Sequence, residues 1–343
     1  MGDGTKVTRI GIVGAGAWGT ALAMVARRAG GAVTLWAREP EIAEAIARDR
    51  INSIYLAGVP LDPEIRATTD LSRAVHADLV LLVTPAQHLR AICEAAATHW
   101  PDGVPALICA KGIEQGSGAL MTEVAAAALP QARLAVLSGP TFATEVARDL
   151  PTAVTLACGE PELGEWLAAA LANPRFRIYQ SGDLIGAEIG GAVKNVLAIA
   201  CGIVQGRGLG DNARAALITR GLAEIVRLAV AKGARAETLM GLSGLGDLTL
   251  TCAAQQSRNF SLGVALGRRE CLEDILSARR SVAEGVFSAS SVVELARRLE
   301  VEMPISIAVD AILNHGAEID TEIAGLLARP LRTEAPLSTP PLS

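Results

Sequence analysis

The sequence predicts a two-domain α/β protein: an N-terminal parallel sheet covered by helices, followed by an all-helical domain. Three observations carry this. Short apolar runs alternate with helical segments through the first half. A Gly14-Ala-Gly-Ala-Trp-Gly19 turn joins the first run to the first helix. After about Gly182 the apolar runs stop and only helical segments follow.

In chain order, Arg9–Val13, Val33–Trp36, Leu79–Val83, Ala106–Ala110, Leu134–Leu137 and Ala153–Ala157 read as strands. Continuous apolar strands separated by helices mark a sheet buried on both faces. Thr20–Arg28 and Glu39–Arg50 have helical composition between the first of them. In the second half, Leu184–Val204, Ala213–Ala231, Ser261–Arg268, Phe287–Leu299 and Ile305–Leu313 read as helices. The shift places a boundary near Tyr179–Asp183, giving a sheet-containing domain over 1–181 and a helical domain over 182–329. The stretch 330–343 is rich in Pro, Ser and Thr and has little to bury, so it reads as a disordered tail.

The bulk properties fit this plan. The 343 residues exceed one ordinary domain and suit two. Half of them are hydrophobic but only 3% are aromatic, so the core is aliphatic. A net charge of -5 argues against a nucleic-acid partner, which needs a broad basic surface. The cysteines (Cys93, Cys109, Cys158, Cys201, Cys252, Cys271) form no C-x-x-C pair, and the histidines (His76, His88, His99, His315) have no ligand spacing, so no metal is expected. Met1–Thr8 is short and polar, unlike a signal peptide, and Lys6 stands where a myristoylation site needs Ser or Thr. No run of eighteen uncharged apolar residues predicts a membrane span. A cytoplasmic protein is expected.

The glycine turn has the G-x-G-x-x-G spacing of a Rossmann dinucleotide site in its proper strand–turn–helix setting. Gly14 allows the tight turn, Gly16 lets the backbone approach a pyrophosphate, and Gly19 permits close helix packing. The helix N-terminus then offers free N–H groups to the phosphates. About twenty residues on, where an acid holds the ribose of NAD, stands Glu39. Arg38 precedes it and suits the extra phosphate of NADP or stacks on adenine. NAD or NADP is therefore the expected cofactor, with Arg38 tipping the reading toward NADPH. The bland alternative is that both are solvated charges at a helix start.

Lysine is rare here. The chain has four lysines (Lys6, Lys111, Lys194, Lys232) against twenty-seven arginines. Unlike arginine, lysine can exchange a proton when its surroundings lower its pKa. Lys111 ends a strand, on the side that faces the ligand crevice of an open parallel sheet. Lys194 sits among small helical neighbours (Ala187, Gly190, Gly191, Ala198, Cys201). Tight helix packing explains the glycines but not a cation among them, which favours a catalytic lysine. Two further stretches stand out: Gly241-Leu-Ser-Gly-Leu-Gly-Asp247 presents an acid after three glycines, and Ser257-Arg-Asn259 reads as a helix N-cap that places Arg258 to meet a phosphate. Plain capping is the alternative for the latter.

Taken together, these motifs resemble the bacterial NAD(P)-dependent glycerol-3-phosphate dehydrogenases from about Arg9 to Leu327. The resemblance rests on G-A-G-A-W-G-T-A-L-A from Gly14, S-G-P-T-F-A from Ser138, G-A-E-I-G-G-A-V-K-N-V from Gly186, G-D-N-A-R-A-A-L-I-T-R-G from Gly210, G-L-G-D from Gly244 and S-R-N from Ser257. It implies reversible reduction of dihydroxyacetone phosphate to sn-glycerol 3-phosphate, feeding glycerophospholipid synthesis, by a homodimer. It also implies roles. Lys194 would exchange the proton at the substrate oxygen, with Lys111 and Asp247 orienting it and the substrate. Gly139 and Thr141 would contact substrate, and Ser257, Arg258 and Asn259 would hold its phosphate. Ala17, Trp18, Arg38, Lys111, Ala143, Arg258, Val282 and Glu284 would line the cofactor site with Gly14, Gly16 and Gly19. Ala57, Arg207 and Phe260 depart from the family pattern, Phe260 where a second arginine is common. Two rivals share the plan: a hydroxyacid dehydrogenase acting on a carboxylate, and a regulator that binds the dinucleotide without turnover.

Overall fold

The computed structural model describes residues 8–277 and 284–330. Among them, eight strands form one sheet: β1 (Arg9–Val13), β2 (Ala32–Trp36), β3 (Arg66–Thr68), β4 (Leu79–Leu82), β5 (Pro105–Ile108), β6 (Arg133–Ser138), β7 (Thr152–Cys158) and β8 (Phe176–Ser181). Their order across the sheet is β3-β2-β1-β4-β5-β6-β7-β8. The helices between them are α1 (Ala17–Arg28), α2 (Pro40–Asp49), α3 (Leu71–Val75), α4 (Leu89–Ala97), α5 (Met121–Ala128), α6 (Ala143–Ala147) and α7 (Pro161–Leu171). Ile12, Leu79, Val80, Leu81, Leu82, Ala106, Leu107 and Ile108 are all fully buried, which is why these strands read as unbroken apolar runs.

The sequence reading needs two corrections here. First, β7 pairs with β6 antiparallel, while β7 and β8 are parallel. The 139–151 connection holds only the five-residue α6, too little for a crossover, so the chain turns back beside β6. Second, β3 and β8 escaped notice. β3 has three residues at one sheet edge, and β8 (FRIYQS) buries only Phe176, so neither presents an apolar run.

The strand order reverses direction between β1 and β4, and a ligand crevice opens at the carboxyl ends of strands at such a point. Gly14, Thr84, Lys111 and Gly139 follow the ends of β1, β4, β5 and β6 there.

The last strand ends at Ser181, and a helical domain begins with α8 (Leu184–Gly206), capped by the Asp183 carboxylate on the Gly186 amide at 2.9 Å. Around α8 stand α9 (Asp211–Lys232), α10 (Asp247–Ala253), α11 (Arg258–Gly267), α12 (Leu272–Ser277), α13 (Glu284–Arg298), α14 (Pro304–Asn314) and α15 (Ile319–Leu327). Every residue of α8 from Gly186 to Val204 is buried. The helix is long and apolar enough to cross a bilayer, yet that surface is covered by protein.

α8 and α11 touch backbone to backbone. A Cβ on Gly202 would lie 2.1 Å from the Phe260 carbonyl oxygen, and one on Gly263 would lie 2.1 Å from that of Ile199. Gly206 and Gly267 repeat the contact one turn on, at 2.4 Å from Val264 O and 2.7 Å from Ile203 O. Val282 and the tail from residue 331 onward lie outside the described residues.

Candidate active site

The glycine turn leaves space on one side only. Gly14 has φ +121°, and a Cβ there would stand 2.7 Å from the Val83 carbonyl oxygen. At Gly19 it would stand 1.8 Å from the Gly14 carbonyl oxygen. At Gly16, the N-cap of α1, it would meet nothing within 4 Å. The open side lies at the N-terminus of α1, whose free N–H groups favour phosphate. Buried Asn52 braces the turn, donating from Nδ2 to Ala15 O and to Thr20 Oγ1, both at 2.8 Å. Ala17 and Trp18 open the helix. The Trp18 indole N–H and the Thr84 hydroxyl are buried without partners. Unpaired polar groups beside an open backbone cradle fit a polar ligand, and a dinucleotide meets that description.

Arg38 and Glu39 follow β2, next to the turn, where the Gly14 amide donates to Trp36 O at 3.1 Å. The exposed Arg38 guanidinium pairs with Glu39 at 2.8 Å. The two ribose candidates thus hold each other in an exposed pair, which is weakly bound and easily exchanged for a ligand.

Asp247 joins both lysines. Its carboxylate is fully buried; Oδ1 accepts from Lys194 Nζ at 2.5 Å and Oδ2 from Lys111 Nζ at 2.7 Å. Lys194 Nζ also donates to Thr251 Oγ1 at 2.9 Å, and that hydroxyl donates to the Asp247 carbonyl at 2.6 Å. Lys111 Nζ donates further to Gly139 O at 3.0 Å. The ion pair therefore spans the two domains.

Local backbone chemistry permits this convergence. Leu242–Gly246 winds as a single π-helical turn ahead of α10, a form often found at functional sites, and aims Asp247 inward. Gly190 admits that turn, since a Cβ there would lie 2.4 Å from Ser243 O. Gly191 admits the stem of Lys111, at 3.4 Å from its Cγ, and the Ser138 hydroxyl at 2.9 Å. The small residues around Lys194 are thus the seats of its neighbours. Burial pushes the Lys194 ammonium down to about 8, with Lys111 adding to the shift and Asp247 opposing it.

The remaining candidates gather at helix ends. Ser257 caps α11, accepting from the Phe260 amide at 3.2 Å, and Arg258 begins the helix. Asn259 donates from Nδ2 to Asn195 Oδ1 at 2.9 Å, while its own Oδ1 accepts from the Gly285 amide at 3.0 Å. Glu284 starts α13; burial raises its carboxyl, against the pull of Arg258, Lys111 and Lys194. Thr141 donates to Gly139 O at 3.3 Å, and Ala143 starts α6. Phe260 is buried in the helical core and offers no charge, while Arg207 lies 3.1 Å from Asp320 and ties α8 to α15. Ala57 is exposed in the loop before β3.

Three residues at the site went unforeseen. Thr251 is one helical turn from Asp247, Asn195 adjoins Lys194, and Asn52 is remote in sequence from the turn it braces. The first two could be reached by helical spacing; nothing in the sequence signals Asn52.

Two family models cover this chain, the N-terminal half of NAD-dependent glycerol-3-phosphate dehydrogenase over residues 9–164 and its C-terminal half over 183–324. The chain belongs to this family. It is accordingly an NAD(P)-dependent oxidoreductase with glycerol-3-phosphate dehydrogenase activity. Glycerol-3-phosphate dehydrogenase [NAD(P)+] of Rhodospirillum rubrum is 60% identical over 329 residues, spanning 96% of this chain and 94% of that protein. The enzyme of the same name from Caulobacter vibrioides is 60% identical over 327 residues, spanning 95% of this chain and 99% of that one. The crystal structure of glycerol-3-phosphate dehydrogenase from Coxiella burnetii matches with a TM-score of 0.91 at 40% identity, covering 94% of this chain and 99% of that one. Membership removes the regulator and the hydroxyacid enzyme as readings.

Proposed function

We propose that this enzyme reduces dihydroxyacetone phosphate to sn-glycerol 3-phosphate reversibly, with Lys194 as the group that gives and takes the proton at the substrate oxygen. The observation that carries the assignment is the bridge from Lys194 through Asp247 to Lys111. It ties a buried lysine, lowered to about 8, to Lys111 beyond the carboxyl end of β5, which supports the reading.

Gly14, Gly16, Ala17, Trp18, Gly19 and Arg38 would hold the dinucleotide, with Ala143, Arg258, Val282 and Glu284 completing its site. When bound in reduced form, it supplies a hydride to the substrate carbonyl carbon. The Lys194 ammonium then stabilises the developing alkoxide and protonates it; in the reverse direction the neutral amine accepts the hydroxyl proton. Asp247 keeps the two lysines in fixed positions and offsets part of their charge. Thr251 holds the Lys194 ammonium from a second side, leaving its third N–H for substrate. Gly139 and Thr141 would flank the substrate beside Lys111.

Ser257, Arg258 and Asn259 would take the phosphate. An arginine at a helix start combines its fork of donors with the positive end of the helix dipole, a pairing suited to a dianion more than to a carboxylate. Arg38 supports NADPH over NADH. The homodimer is tested by light scattering, where twice the chain mass supports it. The reaction is tested by following NAD(P)H absorbance with dihydroxyacetone phosphate, and Lys194→Arg should abolish most of that signal.

A further inference from the structure

Glu188 is a buried acid that the reaction does not use. It lies on α8, six residues before Lys194, or about 9 Å along the helix axis. Its carboxylate crosses to the first turn of α5 in the other domain, where Oε1 accepts from the Thr122 amide at 2.8 Å and Oε2 from the Thr122 hydroxyl at 2.6 Å. The N-cap of α5 is Leu120, whose side chain has no acceptor. The cap that this helix lacks is thus supplied from the catalytic helix. Next to it, Lys232 of α9 pairs with Glu123 at 2.7 Å, and Glu123 in turn accepts from the Leu120 amide at 2.8 Å. One turn of α5 therefore grips two helices of the neighbouring domain.

We infer that Glu188 is a positioning residue: its bond to Thr122 sets the seat of α8 against the sheet, and through it the place of Lys194 relative to Lys111. The inference rests on Lys194 being the proton-transfer group. α8 is one continuous helix, so a lateral shift at Glu188 is carried to Lys194. Ala187 of α8 also packs in the sheet-domain core, while Gly191 against Ser138 and the bridge from Lys194 through Asp247 to Lys111 lie inside the active site. Glu188 acts from outside it, so the seat can be disturbed without touching a reacting group. Burial pushes its carboxyl up to about 7 although Thr122 pulls the other way, as expected for a dry contact between domains.

The test measures turnover, dinucleotide affinity and amide exchange of residues 121–123 in Glu188→Ala, Glu188→Gln and Thr122→Val. Turnover of Glu188→Ala should fall on the order of 10- to 100-fold, the effect of a misplacement of about an ångström. Its dinucleotide affinity should stay within about twofold, because the glycine turn is untouched, and exchange at Met121–Glu123 should quicken. Glu188→Gln keeps an acceptor for the amide and should recover most of the turnover. Thr122→Val loses one bond of two and should lose about three- to fivefold; it decides the matter if Glu188→Ala does not fold. A folded Glu188→Ala or Thr122→Val with wild-type turnover overturns the inference, as does turnover lost in step with dinucleotide affinity. Should Lys194→Arg keep full turnover, the proton-transfer assignment fails and takes the inference with it, whereas wild-type turnover in the Glu188 variants overturns the inference alone.

Discussion

Lys194 and Asp247 approach within 2.5 Å from helices 53 residues apart in sequence, and both are buried. The pair fixes the ammonium without neutralising its chemistry, because Asp247 divides its carboxylate between two lysines. Substituting Lys194→Arg keeps the charge and removes the ability to give up a proton, since arginine is not deprotonated in proteins. We expect kcat to fall by roughly 10²–10⁴ with dinucleotide affinity near wild type. Near-normal kcat would transfer the role to Lys111.

The pH dependence follows from the same burial. With Lys194 lowered to about 8, the neutral amine dominates above that pH and the ammonium below it. Oxidation of glycerol 3-phosphate needs the amine, so its kcat/KM should climb about tenfold per pH unit below pH 8 and level off above it. Reduction needs the ammonium and should hold below pH 8 and decline above it. A flat oxidation profile between pH 6 and 9 would contradict the assignment.

Removing the Arg258 side chain should raise KM for dihydroxyacetone phosphate sharply while leaving the poor use of unphosphorylated dihydroxyacetone almost unchanged. The ratio is the measurement. Equal losses for both ketones would make Arg258 a structural or cofactor residue.

Arg38→Ala should weaken NADPH more than NADH, by about 1.5–3 kcal/mol for a lost charged hydrogen bond. Glu39, released from its partner, would then favour the ribose hydroxyl of NADH. Titration of both dinucleotides by fluorescence checks this, and equal weakening would mean that Arg38 only stacks or packs.

Gly263→Ala should destabilise the protein by about 1–3 kcal/mol, since the added methyl meets a carbonyl oxygen that cannot move aside. Gly325→Ala on α15, where a Cβ would meet nothing within 4 Å, should instead be neutral or stabilising by roughly 0.5–1 kcal/mol. Paired thermal melts provide the comparison.

Much of this was legible in the chain because chemistry and spacing coincide. The glycine turn is recognisable because Gly14, Gly16 and Gly19 each answer a separate local demand within six residues. Lys194 stands out against twenty-seven arginines, and the Ser257 cap is a local hydrogen bond. What stayed hidden depends on contacts distant in sequence. The reversal of β7 reflects how short α6 is, and Asn52 is an ordinary polar residue until the fold brings it to Ala15. The π turn before Asp247 was visible only as three glycines. Gly190 on α8 leaves the room it needs.

The glycine contacts between α8 and α11 have a consequence for how substrate is used. A joint made of main chain has no rotamers to absorb a displacement, so the start of α11 and the middle of α8 behave as one lever. Asn195 and Asn259 bolt its working end. A phosphate gripped at Ser257–Asn259 would therefore press on the same rigid piece that carries Lys194. Attraction collected at the inert end of the molecule would serve to align its reactive end. Lopping the phosphate from the ketone should accordingly cost speed as well as grip, even at saturating concentration.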